Sequence, residues 1–248
     1  MELRKATVLL VEDEPFLREV MGAWLRRSAG RVIHAENGAD ALRAVTANKI
    51  DLIISDVRMP VMDGIDMLKR INQRAVRKPG VILITGFSDL SLRQALDMGA
   101  EAVLEKPIRR EELLHTMQRS LAEADELWRK RPAAAPSMKL NASFSSLAAA
   151  LEKKRIAFGR RGFCITSAGG LHEGPVKFAV DFKADRRLLS GDGLVRWIAP
   201  EEGQAGIEIT HVDDASRAWV VDLVRQSRPL PFIPGSTGAA DVSGLRAA

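Results

Sequence analysis

Three carboxylates, a hydroxyl and an ammonium close four short apolar runs that lie far apart in the chain. Glu12 and Asp13 end "VLLVED" (residues 8–13) and Asp56 ends "DLIISD" (51–56). Thr85 ends "VILIT" (81–85), and Lys106 with Pro107 ends "AVLEKP" (102–107). Runs of this length bounded by polar residues read as buried strands. In an open parallel sheet the carboxyl ends of the strands face one crevice, so residues distant in sequence meet there. Oxygen ligands, a hydroxyl donor and a fixed cation in one crevice suit a hard cation and a phosphoryl group.

The elements needed to position these residues are present. Between the strand-like runs lie amphipathic stretches: 15–27, with Phe16, Val20, Trp24 and Leu25 near one helical face, then 39–47, 65–73, 90–98 and 111–128. A second strand, "RVIHA", occupies 31–35, and Pro15 suits a first helical turn. "VRMPVMDG" (57–64) reads as a loop punctuated by Pro60 and Gly64. Alternation of strands and helices predicts a doubly wound parallel sheet covered on both faces. At "KRPAAAPS" (130–137) the pattern breaks into a semi-stiff connector. Beyond it come a helix over 146–155 and strands over 162–167, 175–182, 194–199 and 205–210, with "SAGG" and "SGDG" as turns between them. A helix follows over 214–225, and the last stretch, "RPLPFIPGSTGAADVSGLRAA", is expected to be unable to fold alone.

Bulk properties narrow the function classes. The 248 residues allow two modest domains, and 46% hydrophobic content is ordinary for a globular protein. No stretch approaches the ~20 apolar residues of a membrane span, and the amino terminus reaches acidic residues too soon for a signal peptide. The single cysteine, Cys164, allows no internal disulfide and fits a reducing cytoplasm, the expected location. His34, His115, His172 and His211 lie too far apart for metal-ligand spacing. A net charge of +5 is spread along the chain, without the sustained basic stripe of a DNA reader. The one dense spot is Lys153, Lys154, Arg155, Arg160 and Arg161.

The first half resembles the receiver domain of two-component response regulators. The resemblance rests on the Glu12–Asp13 pair, "SDVRMPVMDG" around Asp56, Thr85–Gly86 and Lys106–Pro107, in that order and strand context. It implies a flavodoxin-like, five-stranded sheet over residues 1–130 and phosphorylation of Asp56 by a sensor histidine kinase. Mg²⁺ would neutralise the phosphoryl donor, held by Glu12, Asp13, Asp56 and the backbone carbonyl of Arg58. Lys106 would pair with Asp56 and then with its phosphate, and Thr85 would donate its hydroxyl to a phosphoryl oxygen. Val103 stands where the family places an aromatic residue, so the usual coupling of threonine to aromatic ring is not expected here.

The second half is similar to the PilZ domain, a small β-barrel that often binds cyclic di-guanylate. The similarity lies in "RGFCI" (161–165), "LLSGDGLVRWIAPEEGQAGIEIT" (188–210) and "DDASRAWVVDLV" (213–224). It implies a PilZ-like domain with flanking helices over 146–228, which with the composition of the flanks leaves a linker over 131–145 and an expected disordered tail over 229–248. Ligand-binding members carry an arginine pair and an Asp/Asn-x-Ser-x-x-Gly turn; here Ala157 and Gly159 occupy the acidic and serine positions, and the arginine pair is missing. The expected role is therefore noncatalytic docking of a protein partner. A cyclic di-guanylate sensor using the basic cluster at 153–161 is the alternative. DNA binding is not expected, since no helix-turn-helix pattern follows residue 140, and no output enzyme is expected either.

Overall fold

A computed structural model describes residues 2–73, 79–86, 90–122, 126, 128–129, 136–166, 169–226 and 231–237. The chain divides into two compact units, Met1–Ser91 with Met98–Ala122, and Leu92–Asp97 with Glu123–Ala248.

The first unit contains strands β1 (Thr7–Val11), β2 (Arg31–Ala35), β3 (Leu52–Asp56), β4 (Gly80–Thr85) and β5 (Ala102–Glu105). They form one five-stranded sheet in the order β2-β1-β3-β4-β5, parallel throughout. The order reverses at β1 and β3, which opens a crevice at the carboxyl ends of those two strands. Helices α1 (Pro15–Arg26), α2 (Gly38–Ala47), α3 (Gly64–Asn72) and α5 (Arg110–Leu121) accompany the sheet, and α4 (Leu92–Asp97) counts with the second unit. The strands are apolar on both faces, as strands covered by helices on both sides must be. Val8, Leu10, Ile54, Ile82 and Ile84 pack in one cluster with Met21 and Leu25 of α1 and Leu113 and Met117 of α5. Local signals fix the helix starts. The Asn37 side chain accepts from the amides of Ala39 and Asp40 at 3.0 Å each, and Asp63 accepts from the Asp66 amide at 2.7 Å.

The second unit is a six-stranded sheet in the order β6-β9-β10-β11-β8-β7. The strands are β6 (Met138–Phe144), β7 (Ile156–Phe158), β8 (Gly162–Thr166), β9 (Gly174–Phe182), β10 (Arg187–Ala199) and β11 (Gln204–Val212). Helices α6 (Leu147–Glu152) and α7 (Asp214–Gln226) accompany it. Its core gathers Trp128, Phe163, Phe178, Phe182 and Val220; Phe163 and Phe178 meet edge to face at 5.3 Å.

Four expectations differ from this structure. The helix expected over 111–128 stops at Leu121, and Trp128 is instead fully buried in the second unit, its indole N–H donating to the Ile209 carbonyl at 3.0 Å. The expected linker 131–145 contains β6, which pairs in parallel with β9 from Met138–Val176 to Phe144–Phe182. "SGDG" is the middle of β10, not a turn. A Cβ on Gly191 would lie 2.1 Å from the His211 carbonyl oxygen and one on Gly193 2.7 Å from that of Glu208, so these glycines let β10 and β11 close up. Finally, residues 231–237, placed in the expected disordered tail, are packed, with Phe232 and Ile233 buried; residues 227–230 and 238–248 lie outside the described residues.

Candidate functional site

The crevice of the first unit is assembled from four strand ends. Glu12 and Asp13 follow β1, and the Glu12 amide donates to the Ala35 carbonyl of β2 at 3.2 Å. Asp56 is the last residue of β3 and Thr85 the last of β4. Lys106 follows β5, its amide donating to the Thr85 carbonyl at 2.9 Å, which ties it to the neighbouring strand end. The loop after Asp56 returns tightly: the Gly64 amide donates to the Val57 carbonyl at 2.9 Å, and a Cβ on Gly64 would sit 2.3 Å from the Asp56 carbonyl oxygen. Gly64 is therefore the residue that lets α3 start against the Asp56 backbone.

Lys106 organises the charges. Its Nζ lies 2.5 Å from Asp56 Oδ2 and 3.7 Å from Glu12 Oε2. Glu12 and Asp56 are almost wholly buried, while Asp13 is exposed. Carboxylate oxygens of Glu12, Asp13 and Asp56 come within 4.8 Å of one another. Burial raises the pKa of Glu12; Lys106 opposes that rise, and the nearby Asp56 and Asp13 charges add to it. Burial works against the Lys106 ammonium, yet its hydrogen bond to Asp56 and the surrounding carboxylates bring its pKa above the ordinary lysine value. Glu12 Oε2 has no hydrogen-bond partner among the described residues. A buried, unsatisfied carboxylate oxygen beside two more carboxylates is a donor set that fits a hard divalent cation. Glu12, Asp13 and Asp56 are the side chains able to hold it.

The other expected residues fall differently. Thr85 is buried at the site, and its hydroxyl donates to the Gly86 carbonyl at 2.8 Å. The side chain of Arg58 is exposed in the loop beyond Asp56. Val103 is half-buried in β5, opposite Leu83 of β4. One contributor escaped the sequence reading: Arg18 of α1 donates Nη1 to the carbonyls of Glu12 at 2.7 Å and Asp13 at 3.2 Å. Its Nη2 pairs with Glu36 Oε1 at 3.1 Å. Helical side chains lean toward the amino terminus of their helix, so an arginine on the first turn after "EDEP" was the available signal.

In the second unit the basic cluster does not form one patch. Lys153, Lys154 and Arg155 are exposed before β7, whereas Arg160 is half-buried and Arg161 buried after it. Ala157 and Gly159 are both buried.

Known proteins share the first unit. Residues 8–118 match the family model "Response regulator receiver domain". The transcriptional regulatory protein GlrR of Escherichia coli (strain K12) is 33% identical over 134 residues, 52% of this chain and 30% of that protein. The DNA-binding transcriptional regulator NtrC of the same organism is 34% identical over 125 residues, 50% of this chain and 26% of that protein. Among solved structures, the chemotaxis response regulator CheY4 of Vibrio cholerae is 30% identical, with 47% of this chain and 99% of that chain covered and a TM-score of 0.44. The chain thus spans about a third or less of the length of these two curated relatives. The fold is a five-stranded parallel sheet with an acidic cluster and a lysine at its strand ends. Residues 8–118 are a response regulator receiver domain of two-component signalling.

Proposed function

We propose that the chain is a response regulator that accepts phosphate on Asp56 from a sensor histidine kinase and relays the signal through its second unit, a noncatalytic PilZ-like module that docks a protein partner. The observation that carries this reading is the Asp56 carboxylate, buried at a strand end with Lys106 Nζ 2.5 Å away and Glu12 and Asp13 beside it.

The chemistry assigned to each residue follows from its place. One Asp56 oxygen forms the new bond to phosphorus as the donor's leaving group departs with the electrons of the broken bond. Lys106 pairs with Asp56, and its ammonium then faces the incoming phosphoryl oxygens. Glu12, Asp13, Asp56 and the Arg58 carbonyl would hold Mg²⁺, which when bound supplies positive charge to those oxygens. Arg18 braces the Glu12–Asp13 backbone, fixing where those carboxylates sit. Thr85 must turn its hydroxyl away from the Gly86 carbonyl to donate to a phosphoryl oxygen.

The docking reading is supported by the dispersal of the basic cluster and by the side-chain poverty of Ala157 and Gly159, neither of which can read a base. Among the described residues no helix is long and apolar enough to cross a membrane; a cytoplasmic location and absence of DNA contact belong to the same proposal. Incubation with acetyl phosphate and Mg²⁺ should give one phosphorylated species by intact mass, absent in Asp56→Asn. Acid-stable labelling of that variant to the wild-type level would overturn the assignment.

A further inference from the structure

The second unit's sheet has two apolar faces. Phe163 and Ile165 of β8 and Val195 of β10 belong to the main core. Cys164, between the first two, and Trp197, beyond a register irregularity after Val195, belong to a separate cluster with Leu96 of α4 and with Phe232 and Ile233. That outer face is closed by residues 231–237, a segment without helix or strand.

The closure has the anatomy of a bound peptide. Its backbone is read at several points: the Arg160 amide donates to the Pro231 carbonyl at 2.9 Å, the Arg161 amide to the Phe232 carbonyl at 3.1 Å, and the Phe232 amide to the Leu96 carbonyl at 3.0 Å. Two side chains are anchors, Phe232 at 6% and Ile233 at 0% exposure. Further along, the Gly235 amide donates to Asp97 Oδ1 at 2.6 Å, and the Gly235 carbonyl accepts from Arg93 Nε. Arg93 also stacks over Trp197 at 4.6 Å and pairs with Glu202 at 2.9 Å. Main-chain hydrogen bonds combined with pockets for side-chain anchors are how proteins take peptides, and the prolines on either side of the two adjacent anchors restrict the backbone of this bent segment. The fit is incomplete, because the buried indole N–H of Trp197 has no acceptor among the described residues.

We infer that residues 231–237 are an intramolecular ligand occupying a peptide-docking groove, and that the partner of this unit presents a Pro–aromatic–aliphatic–Pro segment that displaces it. This rests on the reading of the second unit as a docking module and does not depend on phosphorylation of Asp56. Tethering gives the chain's own segment a high effective concentration, so the groove stays closed until a better-matched peptide competes.

Two structural details make the groove testable in the unphosphorylated full-length chain. Cys164 lies under the strap, and burial pushes its thiol up to about 12, so it resists alkylation while the strap is in place. A Cβ on Gly159 would lie 2.6 Å from the Phe232 carbonyl oxygen and 2.7 Å from that of Pro231, so a side chain there expels the strap from the groove side. The Phe232→Ala/Ile233→Ala variant should alkylate at Cys164 with iodoacetamide at least tenfold faster than wild type. It should bind a fluorescein-labelled peptide of residues 228–239 at least tenfold more tightly, and unlabelled peptide should protect Cys164 again. Gly159→Ala should expose Cys164 yet fail to take the peptide. The inference is overturned if the double variant does not fold, since the segment would then be core. It is equally overturned if the folded variant keeps Cys164 unreactive or ignores the peptide, or if Gly159→Ala matches wild type in both measurements.

Discussion

Glu12→Gln should stabilise the metal-free receiver although it removes a charge from an ion pair. Glu12 Oε2 attracts Lys106 Nζ across 3.7 Å, about 4 kcal/mol at an effective dielectric near 20. Lys106 is one-third exposed, so solvent reduces that figure. Repulsion from Asp56, whose nearest carboxylate oxygen lies within 4.8 Å, opposes it with about 3 kcal/mol on the same scale. These terms nearly cancel, leaving the burial of an unsatisfied carboxylate oxygen, which costs about 1–3 kcal/mol. The amide keeps the shape, carries no charge, and can donate to Asp56. A gain of about 1 kcal/mol should raise the receiver's melting temperature by roughly 3–6 °C. The pH dependence separates this account from a packing effect. Burial, helped by Asp56 and Asp13, sets the folded pKa of Glu12 above its ordinary 4.5. The native carboxylate is therefore a liability above that raised value and loses its cost as pH falls through it, where the folded state binds the proton more tightly than the unfolded one. The Gln-minus-Glu difference should be full at pH 8 and shrink as pH falls through the raised value to below the ordinary 4.5, measured by urea unfolding in EDTA with hydrogen exchange of β1 and β3 amides locating the change. A destabilised variant, or a difference unchanged from pH 8 to below 4.5, would refute the electrostatic argument.

Other perturbations test separate parts of the site and fold. Asp13→Asn removes an exposed ligand charge, so urea unfolding should be within about 0.5 kcal/mol of wild type while Mg²⁺ affinity, followed by calorimetry, drops at least tenfold. Lys106→Met leaves Asp56 and Glu12 without their cation; a loss of about 2–3 kcal/mol is expected, and acetyl phosphate labelling should slow markedly by intact mass. Gly191→Ala would place a methyl 2.1 Å from the His211 carbonyl oxygen, and a melt of the second unit, followed by tryptophan fluorescence, should fall by more than 5 °C, on the order of 2 kcal/mol. Calorimetric titration with cyclic di-guanylate at physiological salt should show no guanine-selective binding below about 1 μM, since a dispersed cluster attracts phosphates only weakly through salt.

The receiver half was legible because its topology turns sequence order into geometry. In a parallel sheet every strand ends on the same side, so polar residues closing Val8–Val11, Leu52–Asp56 and Val81–Thr85 had to converge, and the structure brings Glu12, Asp13, Asp56 and Lys106 together there. What escaped was the support. Arg18 acts through backbone carbonyls, a role with no motif, and Thr85 spends its hydroxyl on Gly86, which spacing cannot reveal.

The second half was harder for a physical reason. Antiparallel strands end on opposite sides, so no crevice follows from strand order, and period-two patterns there report only which face is buried. β6 shows it: Met138 and Leu140 alternate with exposed Lys139 and Asn141, a strand signal hidden because the segment adjoins a proline-rich connector. Ser190–Gly193 misled in the opposite direction. Glycines that permit close strand approach carry the same letters as glycines in turns, and only the neighbour, here the His211 carbonyl 2.1 Å from a would-be Cβ on Gly191, tells them apart. The segment at 231–237 is the extreme case. Its prolines argue against helix and strand, and it has neither; its order comes from Phe232 and Ile233 entering a face whose other members, Leu96, Cys164 and Trp197, are scattered across the sequence. A chain read locally would leave such a segment unfolded, because among the described residues the interactions that order it are long-range. That is also why a competing peptide with the same anchors could replace it: among the described residues its place is held by distant parts of the chain.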